Sequence, residues 1–309
     1  MPELDSAREG VVSSHGFKTR FRIVGKSRSR RPLLCIHGGP GWGEEYLRPL
    51  EEMATTGRQV VFYDQLGCGG YGEPEQPGQS EQTAAWSLRL FLDELDAVRQ
   101  AAGLARCHIL GHAWGGMLAL EYALQQPPGL ASLVLSNTVA SVPQWRRGLA
   151  GLVEAMPEEV RAPLKKHAET GSTASRECCC TVDAFLRRHL CRMNPWPDCL
   201  ARSLENARAH PAARNAMFGP NEVEPRGRLA DWDVTARLAE ISCPTLVVSG
   251  RHDLAPPPSV ATLYRGIPSS EWVVFEQSSH VPHLEEPQRY LEVLDGFLEK
   301  VEGAERRRH

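Results

Sequence analysis

The chain has 309 residues, and its 27 Gly and 23 Pro make it rich in turns without approaching a collagen or low-complexity composition. Hydrophobic residues at 41% supply a sizeable core, and the length suits one large domain or one domain with an insertion. Lys and Arg number 35 against 38 Asp and Glu, so the formal charge of −3 leaves no basic surplus for nucleic acid or an anionic membrane.

No apolar run approaches the length of a spanning helix, and the opening MPELDSAREG lacks both the basic and the apolar segment of an export signal. A soluble, cytoplasmic protein is expected. Nine cysteines in such a chain read as thiols rather than a disulfide framework. Cys178, Cys179, Cys180, Cys191 and Cys199 contain no C-x-x-C pair, and adjacent cysteines reach one tetrahedral centre poorly. No metal or other cofactor is expected.

In chain order, residues 15–25 (HGFKTRFRIVG) alternate as strand around a turn at Gly16, and PLLCIHG (32–38) is a short apolar run of the buried-strand kind. QVVFYDQ (59–65) is another, followed by the glycine-rich LGCGGYG. Residues 86–102 place Leu88, Phe91, Leu92, Leu95, Val98 and Ala102 on one helical face. The strand CHIL, the turn GHAWGG, a helix stopped by Pro127 and Pro128, and the strand LASLVLSN follow. Strand and helix alternate, which predicts a mostly parallel sheet covered on both faces.

Between residues 142 and 233 no strand pattern appears, and amphipathic helices succeed one another. Trp145, Leu149, Leu152, Val153 and Met156 form one stripe, and further helical stretches lie near 185–190 and 200–207. The predicted division is a core of residues 1–141 and 234–309 with a helical cap over 142–233. The core resumes with CPTLVVSG, a helix near Pro258, the strand EWVVFEQ and a final helix carrying Tyr290, Leu294, Phe297 and Val301.

Two turns carry most of the chemistry. GHAWGG (111–116) stands where a strand-to-helix nucleophile elbow, G-x-S-x-G, belongs, with Ala113 at its centre and Gly111 and Gly115 in the positions that a tight turn requires. HGGPG (37–41) follows a buried strand, where an acyl-transfer enzyme places a backbone N–H for the oxyanion. Asp253 and His280 each follow a predicted strand, in the chain order nucleophile, acid, base. Asp231 and Asp233 rival Asp253 but precede their strand, and His283 rivals His280 from three residues further on. His108 and His112 read as local hydrogen-bonding groups, His112 also as a residue that shapes the site.

The ordered blocks HGGPG, FYDQLGCG, GHAWGGMLALEYA, GPNEVEPRGRLADWDV, GRHD and SSHVPHLEEP resemble the proline iminopeptidase family over nearly the whole chain, least between about 145 and 210. The resemblance implies an α/β-hydrolase fold with an inserted helical cap. It also implies hydrolysis of an amide or peptide bond next to a free N-terminal amine, on a small peptide or an aminoacylated small molecule. On that pattern Ala113 holds the position of the nucleophilic serine and Asp253 and His280 complete the triad. Gly39 and Trp114 give the oxyanion N–H groups, and Glu222 binds the substrate ammonium, because a desolvated cation needs an opposite charge.

Two departures stand out. Alanine has no hydroxyl, so this chain forms no acyl-enzyme and is expected to be close to inactive. The retained Asp253, His280 and oxyanion turns read as a serine-to-alanine replacement of the kind made to trap a ligand. The position after the triad acid, where relatives can carry a second glutamate, is Leu254. Two other readings share the scaffold, an esterase or other hydrolase acting on a substrate without an amine, and a non-catalytic receptor.

Overall fold

The computed structural model describes residues 7–26, 30–68, 86–170, 176–219 and 225–307, with backbone alone for 167–170 and 176–179. Alternation builds the first hairpin: Phe17, Thr19, Phe21 and Ile23 of β2 (Phe17–Val24) face inward, and β2 pairs antiparallel with β1 (Arg8–Ser14). Both turn residues, His15 and Gly16, have positive φ, the geometry a two-residue hairpin turn needs.

The remaining strands are short apolar runs: β3 (Leu33–Ile36), β4 (Val60–Tyr63), β5 (Cys107–His112), β6 (Leu130–Ser136), β7 (Thr245–Gly250) and β8 (Ser270–Phe275). The sheet order is β1-β2-β4-β3-β5-β6-β7-β8, parallel from β4 to β8. Strands β3, β4, β5 and β7 are buried along their length, as a sheet covered on both faces demands. The chain leaves β3 to one side for β4 and returns on the other for β5. This order reversal opens a crevice at the carboxyl ends of β3 and β5.

The helices are α1 (Leu88–Ala101), α2 (Trp114–Leu124), α3 (Val142–Glu154), α4 (Glu158–Thr170), α5 (Arg176–His189), α6 (Asp198–Ala209), α7 (Ala212–Met217), α8 (Pro257–Gly266), α9 (Pro282–Glu285) and α10 (Pro287–Arg306). The first starts two residues later than the periodicity predicts because Ser87 is extended and its hydroxyl accepts from Leu90 N at 3.3 Å. Its inward face includes the predicted Phe91, Leu92, Leu95 and Val98. A 3₁₀ segment, Glu45–Thr56, lies between β3 and β4, where Pro49 hides any helical pattern in the sequence.

Helices α3 to α7 occupy the stretch between β6 and β7. Ser141 caps α3 by accepting from Gln144 N at 3.2 Å, and Trp145, Leu149 and Val153 are its buried stripe. Met156 belongs to the same apolar surface but lies just past the end of α3. The two connections to the sheet are tied together: Val142 N donates to Trp232 O and Val234 N to Ala140 O, both at 2.9 Å, and Ser141 Oγ donates to Asp233 Oδ2 at 2.7 Å. Among the described residues, no helix is long and apolar enough to cross a membrane.

Candidate active site

Strand β5 ends at His112, and Ala113 turns the chain into α2 with φ 51° and ψ −117°, a conformation rarely taken by a residue with a side chain. The surroundings hold it there. Ala113 N donates to Ser136 O at 2.9 Å, while Ala113 O accepts from Gly116 N at 2.9 Å and Thr138 Oγ1 at 2.7 Å. The glycines leave no alternative: a Cβ at Gly111 would lie 2.3 Å from Gly115 O, and one at Gly115 would lie 2.2 Å from Ile36 O. That close approach presses α2 onto β3 and brings Ala113 beside the turn that carries Gly38 and Gly39.

Asp253 and His280 follow β7 and β8, and Asp253 Oδ1 lies 2.7 Å from His280 Nδ1. The carboxylate is buried, accepting also from Ala255 N at 2.8 Å and from Asn137 Nδ2 at 2.6 Å. Because an ionised carboxylate only accepts, the imidazole proton sits on Nδ1 and Nε2 is the basic nitrogen. Asn137 is itself fixed: its Oδ1 accepts from Ser136 Oγ at 2.9 Å, and that hydroxyl accepts from Tyr290 OH at 3.0 Å.

Both loops are also tied to the end of α5. His280 N donates to Leu190 O and Leu254 N to His189 O, each at 3.1 Å, while His189 Nδ1 donates to His252 O at 2.8 Å. Burial pushes the His189 pKa below its ordinary value.

Ala113 and His280 open onto one cavity, whose lining also includes Gly39, Trp114, Asn137 and Thr138. Its walls are mostly apolar, from Trp42, Met117, Val139, Trp145, Phe218 and Leu254, and Arg214 is a charged member of the lining. Phe218 meets Trp114 and Trp145 edge to face, at 5.9 and 5.8 Å between ring centroids. Trp145 Nε1 donates to Leu254 O at 2.9 Å, so a residue of α3 fixes the backbone beside Asp253.

Gln65, just past β4, joins the two turns. It donates from its backbone N to His37 Nε2 at 3.0 Å and from its side chain to His37 O at 2.7 Å, and it accepts from Trp114 Nε1 at 2.8 Å. His37 is then neutral, with Nδ1 donating to Gly38 O at 2.7 Å, in keeping with a pKa lowered by burial. The sequence does not mark Gln65, Asn137 or His189 as site residues. The only sequence signal for Gln65 and Asn137 is a polar residue directly after a buried apolar strand.

The structure places the rival candidates elsewhere. Asp231 is exposed, and Asp233 belongs to the junction below α3, where it also accepts from Thr235 N at 2.8 Å. His283 lies buried at the start of α9 with Nε2 donating to Tyr46 O at 3.2 Å, and burial lowers its pKa to about 3. His108 sits toward the opposite end of β5 with Ser132 Oγ at 2.7 Å and Glu302 Oε1 at 3.1 Å. Glu222 lies outside the described residues, as do the side chains of Cys178 and Cys179, while Cys180, Cys191 and Cys199 are free thiols.

The chain matches the family described as alpha/beta hydrolase fold over residues 31–287. It is 35% identical over 297 residues to the proline iminopeptidase of Clostridium botulinum, which spans 94% of this chain and 98% of that protein. To the proline iminopeptidase of Lactobacillus delbrueckii subsp. lactis it is 36% identical over 284 residues, 91% of this chain and 95% of that protein. Among solved structures, VinJ superposes with a TM-score of 0.90 at 37% identity, covering 95% of this chain and 99% of VinJ. The proline iminopeptidase of Mycobacterium smegmatis does so with a TM-score of 0.88 at 35% identity, covering 96% and 99%.

Proposed function

Since this chain belongs to the proline iminopeptidases of the α/β-hydrolase fold family, we propose that it carries the machinery for releasing an N-terminal amino acid or aminoacyl group, with alanine in the nucleophile's place. The substrate is a small peptide, an amino-acid amide or an aminoacylated small molecule. The observation that carries this reading is the conformation of Ala113, φ 51° and ψ −117°, on the cavity that it shares with His280. A lone alanine gains nothing from that strain, whereas a nucleophile gains exposure at the tip of the turn.

With serine at position 113, His280 Nε2 takes the hydroxyl proton as Oγ attacks the scissile carbonyl, and returns it to the leaving amine. Asp253 holds the Nδ1–H tautomer and stabilises the imidazolium that forms. Charge developing on the carbonyl oxygen is met by the N–H groups of Gly39 and Trp114. The Trp114 N–H opens α2, where the first turn has unpaired donors and the helix dipole favours an anion. Water activated by His280 then hydrolyses the acyl-enzyme. The helices over 142–233 act as the cap, and Glu222 in that segment binds the substrate ammonium.

As it stands the chain lacks the attacking group and binds without turning over. Ala113→Ser should create hydrolysis of aminoacyl anilides, faster than of their N-acetylated analogues. The apolar walls and Leu254 favour a second reading, an esterase for acyl groups without an amine. Equal rates on acetylated and free-amine substrates, or a preference for simple acyl esters, would support it. No activity on either class would leave the receptor reading.

A further inference from the structure

Tyr46 lies in the 3₁₀ segment between β3 and β4 and is buried, its ring packed 5.3 Å from those of Trp42 and His112 and 5.6 Å from that of His283. Its hydroxyl accepts from Gly38 N at 2.7 Å and lies 2.7 Å from His112 Nδ1. The carbonyl of His280 can only accept, so His112 Nε2, 2.8 Å from it, carries the imidazole proton and donates. With its one proton on Nε2, the ring offers Nδ1 as an acceptor, and the phenol proton of Tyr46 points to it. Burial pushes the phenol of Tyr46 well above its ordinary pKa and the imidazole of His112 well below, so both stay neutral. The bonds run in one direction, from Gly38 through Tyr46 and His112 to His280.

We propose that Tyr46 and His112 form a positioning relay that holds the oxyanion turn and the loop of the catalytic base as one unit. One end is the residue before Gly39 and the other is the backbone of His280, while His112 itself precedes Ala113. The relay touches no substrate. Its role in catalysis rests on the hydrolase reading above, but its geometry does not. A shift at either end moves an oxyanion donor or the imidazole relative to position 113, and misplacement of about 1 Å costs on the order of a hundredfold in rate. The walls formed by Trp145, Phe218 and Leu254 are not held by these bonds, so the loss falls on kcat rather than KM.

Two arms test it. On the Ala113 chain, nitrogen-resolved imidazole NMR should show His112 neutral with its proton on Nε2, and Tyr46→Phe should move the amide signals of Gly38 and Val281 together. A proton on Nδ1, or a shift at Gly38 alone, would overturn the relay. In the Ala113→Ser background, Tyr46→Phe should lower kcat by about ten- to a hundredfold with KM nearly unchanged. Tyr122→Phe is the control for simple loss of a buried hydroxyl: its partners are Asp96 at 2.5 Å and Arg99 at 2.9 Å, outside the cavity. Equal effects of the two phenylalanine variants on kcat would reduce Tyr46 to a structural residue. If Ala113→Ser is inert on every substrate, the hydrolase reading fails, and the NMR arm still decides the relay.

Discussion

At the carboxyl edge of the sheet, Gly111 and Gly115 leave no room for a side chain and Asp253 holds His280 at 2.7 Å, whereas the chain enters and leaves α3 to α7 through paired connections at residues 140–142 and 232–234, and these helices meet the core mainly through side chains such as Asn206, which donates to Gly41 O. The edge is over-determined: Asp253, Asn137 and His37 are each held by partners that are themselves fixed. The helical stretch supplies surface instead, with Trp145 and Phe218 forming cavity wall. On the proposed reading, chemistry belongs to the edge and selection of substrate to the helices. Yet the two are coupled, because the carbonyls of His189 and Leu190 accept from Leu254 N and His280 N. Displacing the end of α5 therefore reaches the acid and base through their backbone.

Substitutions at the edge should break this division most severely. In the Ala113→Ser background, His280→Ala should lower kcat by on the order of a millionfold, and Asp253→Asn by about four powers of ten, measured by steady-state kinetics. Asp233→Asn should leave kcat almost unchanged, and a loss matching that of Asp253→Asn would reassign the acid. The helical side is sharpened by Glu222→Gln, expected to reduce kcat/KM for free-amine substrates by roughly one to three powers of ten while sparing N-acetylated ones. An equal loss on both would remove Glu222 from amine recognition.

Smaller effects should appear in stability. Ser141→Ala removes both the cap of α3 and the bond to Asp233, and should cost about 1 kcal/mol in denaturant unfolding. A cost indistinguishable from zero would mean that the junction is held by its backbone bonds alone. Glu94 of α1 offers a pH test. Burial raises its pKa to about 8, although Thr19 Oγ1 and Leu66 N donate to it and pull the other way. The folded chain therefore keeps a proton that the unfolded chain releases above about pH 4.3. That contribution is full at lower pH and is lost as pH rises through about 8, and Glu94→Gln should flatten this part of the stability profile.

The edge was legible in the sequence because its constraints are local. Glycine two residues before and two after Ala113 reports a close approach within one turn, Asp253 follows the fully buried apolar run of β7, and His280 follows β8, a half-buried edge strand whose WVVF still marks it as a strand. Asn137 lies at the end of another such run, but its partner Asp253 is far along the chain, and nothing near Asn137 marks the pairing. The same holds for Gln65, which reaches His37 and Trp114, and for Tyr46, whose 3₁₀ segment is disguised by Pro49. Leu190 holds the His280 loop through its backbone carbonyl, which has no side-chain signature at all. The stripe of α3 was readable from its period, while the way α5 docks on the two loops was not.

The central claim, that Ala113 occupies the place of a nucleophile served by His280, is tested most directly by intact-mass measurement after exposure to a serine-directed phosphonate. The Ala113→Ser protein should take up one phosphonyl group per chain, located on residue 113 by peptide mapping, and the same protein with His280→Ala should react far more slowly. The unsubstituted chain should take up none. A serine at position 113 that stays unmodified, or modification that proceeds equally without His280, would contradict the account.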